Sequence, residues 1–285
     1  MRITIDVDRA HIIAPILYSE FITNGIFGRK SIPQDRLPRG VRRGSIQHIL
    51  FLTFTVSIDY QRDANTLWDT ARKVYETDET CYLFDPSLLN STPFEKIQED
   101  MQRTGLSKKV NEDPKIWVRI SESLIRKWKG DPRNFLESCD YSAPVILLRL
   151  RGDKHKRKDD FPSLRNSKIG PLWLRMLRDN ANLSSIQDLD KVPIPVDIHF
   201  ARASVSLGVI KSEHLELDGI FPEIRRVWEL GVKGHVINGK EMLALDIHEP
   251  LCLLSKYGCT NLEKESGNCP MARECPVVKW CVYTS

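Results

Sequence analysis

The sequence predicts a mainly α-helical fold, and three observations carry that expectation. Apolar side chains recur at three- and four-residue intervals along most of the chain, the spacing that lines one face of a helix. Little outside the first 20 residues alternates with period two, the mark of a half-buried strand. Helix-start signals precede several apolar stretches, as in Thr92-Pro93-Phe94-Glu95 and Asp113-Pro114.

In chain order, residues 3–7 and 12–17 read as short strands, after which Pro33, Pro38 and Gly40 break the chain. Residues 45–76 hold neither Pro nor Gly. There Ile46, Ile49, Leu50, Phe51, Leu52 and Phe54 make a buried helix. A polar break at 57–63 precedes an amphipathic helix with Leu67, Trp68, Ala71 and Val74. Thr92 reads as the cap of a further helix, with Pro93 at its first position and Glu95 as the capping-box acid. Asp113-Pro114 opens a helix carrying Ile116, Trp117, Ile120, Leu124 and Trp128, and Gly130-Asp131-Pro132 ends it. Residues 135–150 read as one or two helices broken near Pro144. Further helices are expected over 169–177, 197–207, 220–230 and 243–257.

The 285 residues suffice for one large domain or two smaller ones with real cores. An apolar fraction of 41% is that of a chain that folds. There is no apolar run long enough to span a membrane. The start, Met1-Arg2-Ile3-Thr4-Ile5-Asp6, lacks the basic and apolar regions of a secretion signal, so an intracellular protein is expected. The net charge of +4 does not by itself argue for nucleic acid. Basic residues do cluster locally, at Arg36, Arg39, Arg42 and Arg43 and over 149–158, although such runs also occur as solvated loops.

Five of the seven cysteines, Cys252, Cys259, Cys269, Cys275 and Cys281, crowd the C-terminal tail. Cys81 and Cys139 stand alone and are expected to be small buried apolar residues. Intracellular chains seldom keep disulfides, so the cluster points to a metal site. Cys259, Cys269, Cys275 and Cys281 are separated by nine, five and five residues. Four thiolates can hold a tetrahedral zinc ion or a four-iron cluster. The tight Cys-x2-Cys knuckle of structural zinc is absent, and wider loops suit a cluster whose irons occupy separate corners. Zinc and unligated thiols remain the alternatives.

The stretch His248-Glu249-Pro250-Leu251-Cys252-Leu253-Leu254-Ser255-Lys256-Tyr257-Gly258-Cys259 resembles a segment of the endonuclease III-like helix-hairpin-helix DNA glycosylases. In that superfamily it is the helix that leads into an iron–sulfur cluster loop, followed by the pattern Cys-x6-Cys-x2-Cys-x5-Cys. The last gap matches here and the first two are longer. The resemblance implies a 4Fe-4S cluster on Cys259, Cys269, Cys275 and Cys281, with Cys252 at a helix position. A register that starts at Cys252 stays open.

A second segment, Val192-Pro193-Ile194-Pro195-Val196-Asp197-Ile198-His199-Phe200-Ala201-Arg202, is similar to the superfamily's Val-Pro-Val-Asp-x-His-x-x-Arg. The resemblance implies that Asp197 is the essential carboxylate. The chemistry suits an acid, because breaking an N-glycosidic bond builds positive charge on the sugar. An N-cap role is the structural alternative, and both can hold. Upstream, Phe161-Pro162-Ser163-Leu164-Arg165-Asn166-Ser167-Lys168-Ile169-Gly170 resembles the hairpin Leu-Pro-Gly-Val-Gly-x-Lys-Thr-Ala of lyase-type relatives, with one residue inserted. This implies Lys168 as an amine nucleophile. Ser163 and Arg165 replace the two hairpin glycines, so Arg165, Asn166 or Ser167 would meet phosphate by side chain.

A weaker match runs from Thr55 through Ser57, Tyr60, Gln61 and Asp63 to Asn65. Relatives carry a Leu-Ser-x-Gln-x-Thr-Asp turn there, and Tyr60 or Gln61 would fill the gap left by an extruded base. A plain interhelical turn is the other reading. The long 168–197 stretch and the Ile-Pro-Val-Asp core also resemble archaeal 8-oxoguanine DNA glycosylases, which lack the cluster.

The resemblances together imply two helical lobes with a cleft between them. Residues 45–178 would form a helical barrel ending in a degenerate helix-hairpin-helix. Residues 1–44 plus 179–285 would form the cluster-bearing lobe, with Lys256, Lys264, Arg273 and Lys279 near phosphate. The implied activity is excision of a damaged or modified base from double-stranded DNA, with associated AP lyase cleavage. A monomer is expected, cytoplasmic and nucleoid-associated in a prokaryote. The rival class is a non-catalytic iron–sulfur or zinc DNA-binding protein on the same scaffold.

Overall fold

The computed structural model describes residues 3–152, 160–212 and 217–284. Its elements begin with β1 (Ile3–Ile5), α1 (Val7–Thr23), α2 (Ile46–Ser57), α3 (Ala64–Tyr75), α4 (Pro86–Ser91), α5 (Phe94–Arg103) and α6 (Asp113–Trp128). They continue with α7 (Pro132–Glu137), α8 (Ala143–Arg151), α9 (Ile169–Asp179), α10 (Ile198–Ser206), β2 (Ile210–Ser212), α11 (Phe221–Gly231), β3 (Val236–Ile237), β4 (Lys240–Glu241) and α12 (His248–Tyr257). The fold is mainly helical, and two short antiparallel ribbons, β1–β2 and β3–β4, are the only sheets among the described residues. No described helix is long and apolar enough to cross a membrane.

The chain divides into two compact units, one of Met1–Ile32 with Val192–Ser285 and one of Pro33–Lys191. Residues 33–44 and 179–191 thus belong with the helices between them. Arg43 Nη1 donates to the Asn180 carbonyl at 2.6 Å, and a Cβ on Gly44 would stand 2.8 Å from the Ala181 carbonyl oxygen.

In the first unit, residues 12–17 are helical and not a strand. Asp6 caps α1 by accepting from the Arg9 amide at 2.9 Å, and Ala10, Ile13, Ala14 and Leu17 form one buried face. The three-and-four periodicity outweighs the β-branched pair Ile12-Ile13. Pro15 lies inside this helix and has no N–H to give the His11 carbonyl. Ring Nε2 of His235, 2.8 Å away, donates to that carbonyl instead. A Cβ on Gly231 of α11 would meet Ala10 Cβ at 2.7 Å, so α1 and α11 touch where a side chain is missing. Ile194, Phe200, Ile224, Trp228 and Leu251 share this unit's core, and Trp228 Nε1 donates to Ser204 Oγ at 2.8 Å.

In the second unit, α2 runs through the core. Every residue from His48 to Ser57 is buried, and α3, α6, α7 and α9 all contact it. Phe54 stacks on Trp117 with ring centres 5.0 Å apart, and Trp173 Nε1 donates to Thr53 Oγ1 at 3.0 Å. Two local expectations are corrected here. Thr92 does not cap α5, because it is the C-cap of the short helix α4 and its hydroxyl donates back to the Leu88 carbonyl at 2.8 Å, which leaves Pro93 as the residue before α5. Residues 135–150 hold two helices, α7 and α8, with the break at 138–142 just before Pro144, which lies in the first turn of α8, where its missing N–H costs nothing. Cys81 is exposed, because Leu83 and Phe84 take the buried positions of its turn, whereas Cys139 is buried as expected.

Candidate functional site

Gly152 and residues 160–168 form the described part of the connection between α8 and α9. Lys154, Lys156 and Lys158 of the basic run lie outside the described residues. Phe161 is buried against Phe135 and Trp128, with ring centres 4.8 and 5.2 Å away, which fixes one end of the turn. Ser163, at the first hairpin glycine of the resemblance, holds φ at 70°, the left-handed conformation that favours glycine. The Asn166 side chain accepts the Lys168 amide at 2.8 Å, and the Asn166 carbonyl accepts the Gly170 amide at 3.1 Å. Gly170 permits that approach, since a Cβ there would sit 2.5 Å from the Leu164 carbonyl oxygen. Lys168 is half-buried at the head of α9, after the exposed Arg165, Asn166 and Ser167. Ser163→Gly is expected to stabilise the protein by about 1 kcal/mol, by removing the Cβ strain of a left-handed residue. A denaturation midpoint that falls, with unchanged m, would instead give the serine side chain a supporting role.

Asp197 is the N-cap of α10. Its Oδ1 accepts the amides of His199 at 2.9 Å and Phe200 at 3.0 Å. The capping role read from the sequence is therefore present. The lead-in is pinned on both sides: Val192, Ile194 and Val196 are buried, and Arg225 Nε donates to the Ile194 carbonyl at 3.1 Å. Glu229, one turn further along α11, accepts the Ile194 amide. Burial pushes the Glu229 carboxyl above the usual range, against that bond and nearby Arg225. Two side chains of one helix thus hold the peptide three residues before Asp197, a support that no motif in the sequence signals.

The turn between α2 and α3 presents Tyr60 and Gln61 differently. Tyr60 is half-buried and donates to Asp113 at 2.7 Å. Burial, then that bond, raise its phenol well above the ordinary value. Gln61 is exposed, with φ at 54°, and accepts from Lys108 Nζ and Lys109 Nζ at 2.6 and 2.8 Å. Asp113, Lys108 and Lys109 were not legible as site residues, since Asp113 reads as a helix start and a surface lysine pair is common.

Cys259, Cys269, Cys275 and Cys281 line one cavity, together with Leu207, Leu254, Ala272 and Val277; among the described residues, no acid or histidine lines it. Cys252 is absent from its wall and has its Sγ 3.7 Å from His248 Nε2. Among the described residues, no group of three or more His, Cys, Asp or Glu is arranged to hold a metal ion as it stands. Soft sulfur donors in an apolar shell fit an iron–sulfur cluster. Burial, then the neighbouring thiols, push Cys259 up to about 12 and Cys275 up to about 11. The Ser206 hydroxyl at Cys259 acts the other way. Ligation would therefore release protons. The tail is tied down independently: Arg9 donates to the Leu207 and Trp280 carbonyls, both at 2.6 Å, and the Val282 amide donates to Ser206 at 2.9 Å. Among the basic residues expected there, Lys279 lies over Trp280 and Lys264 over Tyr283, while Arg29 stacks on Tyr257 at 3.9 Å.

Lys168 and Asp197 belong to different units, the second and the first. No family model matches the chain, and no curated protein matches it.

Proposed function

We propose that this protein is a base-excision DNA glycosylase with AP lyase activity, carrying a 4Fe-4S cluster on Cys259, Cys269, Cys275 and Cys281. The observation that carries the reading is helix α10. It is capped by Asp197, in the Pro-Val-Asp-x-His segment, and its last residue, Ser206, hydrogen-bonds Cys259 at the thiol cavity. One short helix thus joins the residue expected to do chemistry to the residues expected to hold the cofactor. The turn at Ser163, kept in a glycine conformation without glycine, supports a degenerate helix-hairpin-helix.

In this reading the protein acts as a monomer on double-stranded DNA in the nucleoid of a prokaryote. Asp197 faces the positive charge that grows on the deoxyribose as the N-glycosidic bond breaks. Its position is fixed by the two amides on Oδ1 and by the clamp on Ile194. The Lys168 nitrogen attacks the sugar C1′, the C1′–N bond to the base breaks, the base leaves with the proton the amine sheds, and the resulting Schiff base permits β-elimination of the strand. The bound cluster would cross-link the tail, and the chain's own residues do the chemistry.

Anaerobically purified protein is expected to contain about four irons per chain and to absorb in the thiolate-to-iron region. Cys281→Ser should lose the iron and Cys252→Ser should keep it. One zinc and no iron would contradict the cofactor. Iron lost from Cys252→Ser but kept in Cys281→Ser would move the ligand register to Cys252. Release of free base from lesion-bearing duplexes tests the activity itself.

A further inference from the structure

The turn carrying Gln61 and the segment 106–109 are tied together at one buried carboxylate. Asp113 is 1% exposed and accepts from Tyr60 Oη at 2.7 Å, Lys108 N at 2.8 Å, Lys109 N at 2.9 Å and Ser107 Oγ at 3.3 Å. Arg62 Nη1 stands 3.9 Å from the same carboxylate and donates to the Leu106 carbonyl at 2.9 Å. The backbones on both sides of Gln61 and at both lysines are therefore fixed from below.

Above this hub the side chains are at the surface. Lys108 Nζ donates to the Gln61 carbonyl and Lys109 Nζ to Gln61 Oε1, and Lys109 Nζ also lies 4.3 Å from the centre of the Tyr60 ring. Both ammonium groups converge on one neutral amide residue. A hydrogen bond from an ammonium to an anionic oxygen is roughly twice as strong as a neutral one, so a phosphate is the better partner for each. With their backbones already ordered, the two lysines give up less freedom on binding than two unrestrained surface lysines would.

We propose that Lys108 and Lys109 form a phosphate clamp for duplex DNA, and that Gln61 occupies the clamp until DNA phosphate replaces it. The inference rests on the DNA-glycosylase reading and adds a mechanism to it. Engaging the backbone frees the Gln61 side chain, at the tip of a left-handed turn, at the moment an extruded base would leave a gap. Duplex binding and release of Gln61 are then one event.

Affinity for a lesion-free labelled duplex, measured by fluorescence anisotropy over a range of salt, tests this. The slope of log affinity against log salt should become shallower by about 0.9 for each lysine removed, roughly 1.8 in Lys108→Ala/Lys109→Ala. Lys73→Ala, an exposed lysine of the same unit outside this cluster, should leave the slope unchanged. Gln61→Ala should keep the full slope and bind the lesion-free duplex at least as tightly as wild type, because the side-chain oxygen that competes for Lys109 is gone while the main-chain carbonyl that meets Lys108 is unchanged. An unchanged slope in the double variant, with wild type binding normally, overturns the clamp and leaves the glycosylase reading to its own test of base release. A wild-type protein that binds no duplex overturns both.

Discussion

Asp197→Asn is expected to lower base excision on the order of 100- to 1000-fold, the usual cost of losing one preorganised electrostatic group at a reacting centre. The fold should survive the change. An asparagine caps a helix about as well as an aspartate, so both amides now held by Oδ1 keep an acceptor. The lost charge at the start of α10 should cost only about 0.3–1 kcal/mol. Asp197→Ala is the control, since it removes the cap as well and should destabilise by about 1 kcal/mol. Excision and unfolding midpoints measured on the same preparations separate the two roles. If Asp197→Asn keeps near-normal excision, Asp197 is a cap and nothing more.

Lys168→Gln is expected to abolish borohydride trapping of the protein on its DNA substrate, together with strand cleavage. Reduction can fix only a Schiff base, and a Schiff base needs the amine. DNA affinity should fall modestly, because one charge near phosphate contributes about 0.9 to the salt slope. The local structure should persist, since the turn before α9 is held by the Lys168 amide and the Asn166 side chain, and Lys168 offers no side-chain cap. Undiminished trapping in Lys168→Gln would assign the nucleophile elsewhere. Base release by wild type without any trapping would identify a glycosylase that uses water and Asp197.

What could be read from the sequence follows how local each interaction is. The buried helix α2 and the amphipathic α3 were legible because their apolar periodicity is set by residues three and four apart, and Asp63 caps α3 from one position before it. The first helix was not, because Ile12 and Ile13 are β-branched and Pro15 follows them. What rescues Pro15 is His235, 220 residues after it, whose ring fills the open carbonyl of His11. Thr92 looked like a cap because the short helix α4 that ends there has too few turns to leave a periodic pattern. Cys81 looked buried by residue type, but the choice was made by Leu83 and Phe84 in the same turn.

The candidate residues divide in the same way. The four cysteines stand close together in one tail, and they line one cavity; Ser206, which bonds Cys259, comes from a distant helix and carries no signal of its own. Asp197 announces its cap through the residues beside it, whereas Arg225 and Glu229, which hold Ile194, lie on α11. The Asp113 hub is the clearest case. It gathers Tyr60 from 53 positions away, and a single sequence shows only a surface lysine pair and an acid at a helix start.

The most direct test of the account is release of free base. The purified, iron-loaded protein is incubated with a panel of duplexes, each carrying one damaged or modified base, and the free base and alkali-labile sites are quantified for wild type and for Asp197→Asn. The account predicts release from at least one duplex by wild type and its loss in Asp197→Asn. A wild-type protein that binds these duplexes and releases no base from any of them would contradict it and leave a non-catalytic DNA-binding protein.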